Sequence, residues 1–463
     1  MTTTRWLDTR FLDRFGPARP ADPADALIRW RCARLADLLE RAATASPWYK
    51  PQASHLISLA AKLRSLAAKS RLNAGEAQAL MAEAPLTTPG ELAGDSDAFL
   101  AAGQDEVEGV VSIPTSGTSG PVKRIRSTGR DLEETVIFFE YGMRHLVEPG
   151  RDRVALAMSA ARPGNVGDLL GRALARWEIP FLAHGFVPEE AAAEERWLRE
   201  LIAWGPTCLV GVPPQMLALS RHSLGPRLAQ TLTTMLLSGD VAEDRLIVEL
   251  ERALSPVKVF RHYGLTETGL GGAVECGRRL WPHPRDDLWV EIIDPESEAQ
   301  LPPGEPGEIT VTPLTRLGQP LIRYRTGDEG LIPAEPCPCG SILPRLTVYG
   351  RLADRLILPG GRVVRAADFE VPLLALSFVR NYELRLYPGR PPRLLVTLIT
   401  TDQPPSEASN LAAEALGDWL GADRPGLALS VDCRPFDAYV DPAELRASGG
   451  KRRILRPDEG PRK

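Results

Sequence analysis

Four short stretches of this 463-residue chain gather side chains suited to phosphate chemistry. The first, Thr115-Ser116-Gly117-Thr118-Ser119-Gly120-Pro121-Val122-Lys123, follows the apolar run Val110 to Ile113 and packs hydroxyls, glycines and a cation into one loop. Such a loop offers backbone N–H groups, hydroxyl donors and one charge to a polyphosphate. Gly117 and Lys123 do not have the G-x-x-x-x-G-K-[ST] spacing, which disfavours a P-loop kinase or GTPase. The structural alternative is an ordinary surface turn. In the second stretch, Tyr263-Gly264-Leu265-Thr266-Glu267-Thr268-Gly269, Tyr263 suits a purine face, Thr266 an α-phosphate, and Glu267 a magnesium ion bridging phosphate oxygens. The third, Arg323-Tyr324-Arg325-Thr326-Gly327-Asp328, pairs with Gly350-Arg351 as an acid–arginine clamp for ribose hydroxyls. Gly450-Lys451-Arg452-Arg453 is the fourth, and by itself it reads as a solvated basic end.

These residues need a scaffold, and the apolar pattern predicts one. Leu27, Trp30, Leu35, Leu38 and Leu39 recur at helical spacing from Ala21 to about Arg41, and Pro47 closes that segment. Short apolar runs at Arg153 to Ala160, Thr207 to Val212, Thr233 to Leu237 and Val257 to Tyr263 alternate with helical stretches such as Asp168 to Trp177 and Glu243 to Leu254. That alternation predicts a mostly parallel sheet covered by helices, with the Tyr263 motif at its carboxyl edge, where open α/β folds bind ligands. From Leu288 to Tyr324 the pattern changes to short strands between Pro and Gly turns, a smaller β unit. Beyond Gly350-Arg351, a strand pair around Pro359-Gly360-Gly361, a helix, strands at Tyr382 to Leu386 and Leu394 to Ile399, a further helix and a last strand form a separate α+β domain of about 110 residues. The expectation is therefore α/β: a large N-terminal domain over 1–350 and a small C-terminal domain over 351–463.

Composition removes several classes. The net charge of -5 comes without a long basic stripe, which argues against a nucleic-acid partner. No apolar run is long enough for a signal peptide or a membrane span, so a cytoplasmic protein is expected. Six cysteines, at 32, 208, 276, 337, 339 and 433, are too sparse for a disulfide scaffold. Lysine is scarce, at 50, 62, 69, 123, 258, 451 and 463, which draws attention to the two that fall inside motifs.

In this order the four stretches resemble the acyl-adenylate-forming superfamily of acyl-CoA synthetases, luciferases and peptide-synthetase adenylation domains. Within it the chain is most similar to the phenylacetate-CoA ligase family. The supporting residues are Ser46-Pro47-Trp48-Tyr49, the Thr115 loop, Leu209-Val210-Gly211-Val212-Pro213, Ser238-Gly239-Asp240, Val290-Glu291-Ile292-Ile293-Asp294-Pro295 and Pro320 to Asp328. The resemblance implies an enzyme that activates a carboxylic acid with ATP and magnesium as acyl-AMP and passes it to coenzyme A. It places the triphosphate on Thr115, Ser116, Gly117 and Thr118 with Lys123 nearby, and adenine beside Ser238, Gly239, Asp240 and Tyr263. Thr266 and Glu267 take the α-phosphate and magnesium, and Asp328 and Arg351 take the ribose. Lys451 stabilises the adenylation transition state from a C-terminal domain that closes and then rotates. The acid is expected to be aromatic or aryl-acetic, in a pocket near Phe139, Tyr141, Val212, Pro213 and Gly264, and the assembly a homodimer. Ala353 stands where the superfamily usually has Asp or Lys at the hinge, and Leu358 to Arg362 lacks the basic residue often found before the glycine.

Cys337-Pro338-Cys339-Gly340 is a tight pair suited to a zinc knuckle, and Cys276 and His283 supply two further candidates. Some phenylacetate-CoA ligases carry a similar Cys, His, Cys, Cys set, which implies a closed structural zinc site. The alternative is two reduced buried thiols beside an unrelated histidine. Two other functional readings stand beside the ligase: an adenylylating enzyme serving another acceptor or a carrier protein, and a catalytically silent nucleotide-binding relative.

Overall fold

The computed structural model describes residues 6–69, 72, 74–114, 122–160, 163–188, 190–358, 360–401, 406–436 and 454–456. Thr115, Ser116, Gly117, Thr118 and Lys451 therefore lie outside the described residues.

The chain opens with helices α1 (Trp6–Leu12), α2 (Pro23–Ala45), α3 (Ala53–Ala67), α4 (Ala74–Ala82) and α5 (Pro89–Gly94). Helix α2 starts where Asp22 accepts hydrogen bonds from the backbone of Ala24 and Asp25 with Pro23 at the first position, and it buries Leu27, Leu35, Leu38 and Leu39. The expected segment is thus present and runs four residues further. Strands β1 (Val107–Pro114) and β2 (Val122–Thr128) pair antiparallel, and helix α6 (Gly129–Met143) follows from a Thr128–Asp131 capping box.

Next come β3 (Val154–Ala157), α7 (Val166–Arg176), β4 (Phe181–Ala183), α8 (Ala191–Trp204), β5 (Cys208–Gly211), α9 (Pro213–Ser220), α10 (Gly225–Leu228), β6 (Thr234–Leu237), α11 (Asp244–Ala253), β7 (Lys258–Tyr263), β8 (Ala273–Glu275) and β9 (Pro282–Pro284). They build one sheet in the order β4-β3-β5-β6-β7-β8-β9, parallel from β4 to β7 and antiparallel beyond. Successive side chains of a strand face opposite ways. Val154, Leu156, Cys208 and Val210 accordingly join a core with α1, α6 and α7, while Ala155, Ala157, Leu209 and Met235 join a second core with α8, α9 and α11. Burial on both faces explains the unbroken apolar runs in the sequence.

The smaller β unit is an antiparallel sheet of β10 (Leu288–Ile293), β11 (Gly307–Pro313), β12 (Tyr324–Leu331) and β13 (Thr347–Arg351), packed against α2, α3 and α4 in a third core. A 3-10 turn at Leu352–Asp354 then leads into the hairpin β14 (Leu356–Ile357) and β15 (Val363–Val364), helix α12 (Glu370–Leu373), β16 (Val379–Tyr387), β17 (Arg393–Thr400), α13 (Ala408–Leu420), β18 (Ala428–Pro435) and β19 (Ile454–Leu455). The last sheet has the order β18-β17-β16-β19, and its core runs from Leu356 to Ile454. This C-terminal unit seats Leu374 in the α8, α9 and α11 core. Among the described residues, no helix is long and apolar enough to cross a membrane.

Candidate active site

Strand β7 delivers Tyr263 to the carboxyl edge of the parallel sheet, as its apolar run predicts. A cleft there is lined by Gly239, Asp240, Tyr263, Asp328 and Arg351. Asp328 of β12 and Arg351 of β13 are register partners, and Arg351 Nε lies 3.1 Å from Asp328 Oδ1. The Tyr263 hydroxyl donates to the other carboxylate oxygen at 2.8 Å. Arg351 Nη1 also donates to the Thr326 carbonyl at 2.7 Å, which fixes the guanidinium. The charge of Asp328 raises the Arg351 pKa, while burial and then Asp328 push the Tyr263 phenol well above its ordinary value. Tyr263 therefore stays neutral and Arg351 charged near neutral pH.

Gly264 is required by close approach: a Cβ there would stand 1.9 Å from the Leu270 carbonyl oxygen. That contact folds the chain into the 3-10 turn Thr266–Thr268, which buries Glu267. Glu267 Oε1 accepts from Lys123 Nζ at 2.5 Å and from the Tyr324 hydroxyl at 2.8 Å. Burial alone would raise the Glu267 pKa; the Lys123 charge and hydrogen bond outweigh it and hold the carboxyl below its ordinary range. Lys123 was expected beside a triphosphate, and here it neutralises the carboxylate expected to carry magnesium. The described ends of the preceding hairpin, Pro114 and Val122, are themselves register partners.

Glu267 and Lys123, paired with each other, do not line the cleft, and two further expected residues also sit apart from it. Ser238 is turned away, its hydroxyl 2.9 Å from His262 Nδ1, and lines an adjoining apolar cavity. Thr266 lines a separate hollow beside Thr135 and Arg316. Of the residues expected around the acid, Phe139 lines the apolar cavity and Gly264 the cleft, and Val212 and Pro213 start α9. Tyr141 does not reach the cavity, because its hydroxyl donates to Asp13 at 2.7 Å and Arg144 stacks over its ring. Tyr324 was missed, although strand alternation puts Tyr324, Thr326 and Asp328 on one face of β12. His262 was also missed, standing next to a more conspicuous tyrosine.

A second constellation gathers where the end of β8, strand β9 and the Cys337–Cys339 loop meet. The ligating atoms of Cys276, His283, Cys337 and Cys339 all fall within 4.8 Å of one another, and the four residues are buried. Cys276 Sγ is 3.8 Å from Cys337 Sγ, and Cys339 Sγ is 3.6 Å from His283 Nε2. With Zn–S about 2.3 Å and Zn–N about 2.0 Å, the edges of a tetrahedron are about 3.8 Å and about 3.5 Å. These two edges match those of a tetrahedral site. His283 Nδ1 is 2.9 Å from the Leu343 carbonyl; donation there leaves the Nε2 lone pair facing the thiols. The Ser341 N–H donates to Cys339 Sγ at 3.4 Å. Burial pushes the Cys276 and Cys339 thiols upward, so a cation is what would hold them as thiolates.

The sequence profile described as AMP-binding enzyme matches residues 51–313, more than half of the chain. The chain belongs to the AMP-binding enzyme family. Its relatives include a phenylacetate-coenzyme A ligase of Thermus thermophilus, 35% identical over 136 residues, which are 28% of this chain and 30% of that protein. The phenylacetate-coenzyme A ligase of Escherichia coli is 26% identical over 268 residues, 56% of this chain and 59% of that one. These matches therefore span between about a third and about three fifths of the relatives' lengths. Among solved structures, 2-hydroxyisobutyryl-CoA ligase in its postadenylation state superposes with a TM-score of 0.70 at 18% identity, over 89% of this chain and 86% of that one. The same ligase in its thioesterification state gives 0.61 at 20% identity, over 95% and 91%. At these identities the likeness establishes the fold of this AMP-binding family member.

Proposed function

We propose that this AMP-binding enzyme is an ATP-dependent acid–thiol ligase that activates a carboxylic acid as acyl-AMP and passes the acyl group to coenzyme A. The observation that carries the reading is the linked set Tyr263–Asp328–Arg351 at the carboxyl edge of the sheet. It offers an aromatic face for adenine and a fixed carboxylate for ribose hydroxyls, in a cleft that Gly239 and Asp240 also line.

Adenylation requires a carboxylate to attack a negatively charged α-phosphorus, so charge must be neutralised as the pentacoordinate state forms. Glu267, buried and held ionised, is the residue suited to a magnesium ion, which would supply charge neutralisation at the phosphate oxygens. Lys123 then becomes free to face phosphate. Thr266 is assigned to the α-phosphate, Thr115 to Thr118 to the β- and γ-phosphates, and Lys451 to the transition state, from the family resemblance. We assign residues 1–350 to the adenylating domain and 351–463 to a mobile lid, with the turn Leu352–Asp354 between them. Zinc in the Cys276, His283, Cys337 and Cys339 site is assigned a structural role, since four protein ligands leave no open position. A cytoplasmic location suits a site built on reduced thiols.

The test is product analysis with ATP, a panel of aryl, aryl-acetic and short aliphatic acids, and coenzyme A. The reading expects AMP and an acyl-CoA in equal amounts, dependent on all three substrates. Acyl-AMP accumulating without transfer to coenzyme A would redirect the assignment to another acceptor.

A further inference from the structure

Of the buried arginines Arg10, Arg261, Arg285, Arg316, Arg323 and Arg380, all but Arg316 stand in ion pairs with carboxylates. Arg316 is only 3% exposed and forms no ion pair among the described residues. Its Nη2 donates to the Arg126 carbonyl at 2.9 Å and to Ser127 Oγ at 3.1 Å, and its Nε is sealed in without a partner. Nη1 also has no partner among the described residues, but it is not sealed in. It comes up against Gly269, where a Cβ would stand 2.9 Å away and crowd it. Gly269, Arg316 and Thr266 line one hollow, part of whose surface is polar and whose other walls include Val110, Leu132 and Leu270. Burial lowers the Arg316 pKa, and the charges of Asp131 and Glu267 oppose it from beyond ion-pair distance. A buried cation without a counter-ion is costly, so a free guanidinium nitrogen on the wall of a hollow points to an anion carried in by a ligand.

We propose that Arg316 Nη1 receives the carboxylate of the acid and holds it beside Thr266 for attack on the α-phosphorus. The proposal rests on the acid-activating reading above, in which Thr266 is assigned to the α-phosphate. Arg316 is the one charged side chain among those lining the hollow. A single guanidinium balances one negative charge, as on a carboxylate with an apolar body, and falls short for a polyphosphate. With Nη2 engaged and Nε sealed, Arg316 holds one carboxylate oxygen and leaves the other free. In adenylation that free oxygen bonds to the α-phosphorus. The bond from phosphorus to the bridging oxygen breaks, and its electron pair leaves with pyrophosphate. The guanidinium charge lowers the repulsion between the two anions as they approach, and the hydrogen bond fixes the direction of approach.

The experiment compares the wild type, Arg316→Gln and Arg316→Lys in two half reactions: AMP formation with the most active acid of the panel above, and thioester formation from the acyl-AMP of that acid. Arg316→Gln should raise KM for the acid by roughly ten- to a hundredfold, the loss of one charge-assisted hydrogen bond, while KM for ATP stays close to the wild-type value. Arg316→Lys keeps the charge and should recover part of that loss. It also carries the same acid-against-ATP comparison if the neutral variant does not fold. Acyl-AMP no longer has a free carboxylate, so its transfer to coenzyme A should change little in either variant. A merely structural role would instead depress both half reactions together. Equal losses in the two half reactions, or an increase in KM confined to ATP, overturns the proposal and leaves the ligase reading intact; the second result would make the bound oxyanion a phosphate. Wild-type enzyme that forms no AMP with any acid would overturn the ligase reading and this proposal with it.

Discussion

Removing the guanidinium of Arg380 should shift the position of the C-terminal unit far more than it changes either unit's own fold. Arg380, at the start of β16, donates to Glu194 of α8 at 2.5 Å, with side chains 5% and 1% exposed. Its guanidinium also lies 4.0 Å above the Phe436 ring. Breaking one side of a buried ion pair costs about 3–5 kcal/mol, because the remaining charge stays desolvated. Here the cost applies only to this arrangement, since Glu194 regains water once the C-terminal unit moves off α8. At 1.4 kcal/mol per tenfold, Arg380→Ala should therefore disfavour the arrangement by roughly a hundredfold or more. Arg221 opposes the shift, donating to the carbonyls of Leu374 and Leu376 at 2.7 and 2.8 Å and also to that of Val379. The assay is small-angle scattering together with a donor–acceptor fluorophore pair, one on each unit. The double variant Arg380→Ala/Glu194→Ala should recover most of the wild-type distribution. An unchanged distribution in the single variant, or no recovery in the double, would mean that the Arg380–Glu194 pair does not hold the C-terminal unit on α8.

Cys337→Ser should lose the bound metal, as measured by elemental analysis, and lower the unfolding temperature; unchanged metal content removes the zinc assignment. Asp328→Asn should raise KM for ATP at least tenfold in steady-state kinetics while leaving KM for the acid nearly unchanged, because its carboxylate organises Tyr263 and Arg351. Equal loss on both substrates would contradict the ribose role. His145 and His262 are both buried, with pKa values lowered to about 3 and about 4. The unfolded chain, with histidine near 6.5, then binds more protons, so stability is complete above about pH 6.5 and falls toward pH 4. Each histidine should cost about 2 kcal/mol between pH 7 and pH 5, read as a lower urea midpoint, and His262→Phe should shallow that dependence.

Much of the nucleotide cleft was legible because it is built on strands. Apolar runs located β3, β5, β6 and β7 to within a few residues, and those strands fix where Gly239, Asp240 and Tyr263 emerge. Asp328 and Arg351 could be paired in advance because a short β unit brings such neighbours together. What stayed hidden was side-chain choice between competing partners. Lys123 settles on Glu267, and Ser238 on His262, since a buried carboxylate and a buried imidazole take the nearest donor or acceptor available. Tyr141 carried the expected residue type, but it lies two positions beyond Phe139 on α6, so helical periodicity turns it away from that ring, and it bonds Asp13. The four candidate metal ligands were readable as types, while their convergence required the fold to bring Cys276 and His283 to the Cys337–Cys339 loop.

The central claim is that this chain adenylates a carboxylic acid, and the most direct measurement is exchange of labelled pyrophosphate into ATP with coenzyme A withheld. Exchange should require both magnesium and a particular acid and should collapse in Glu267→Gln. Absence of exchange with every acid, from a preparation shown to bind ATP, would contradict it.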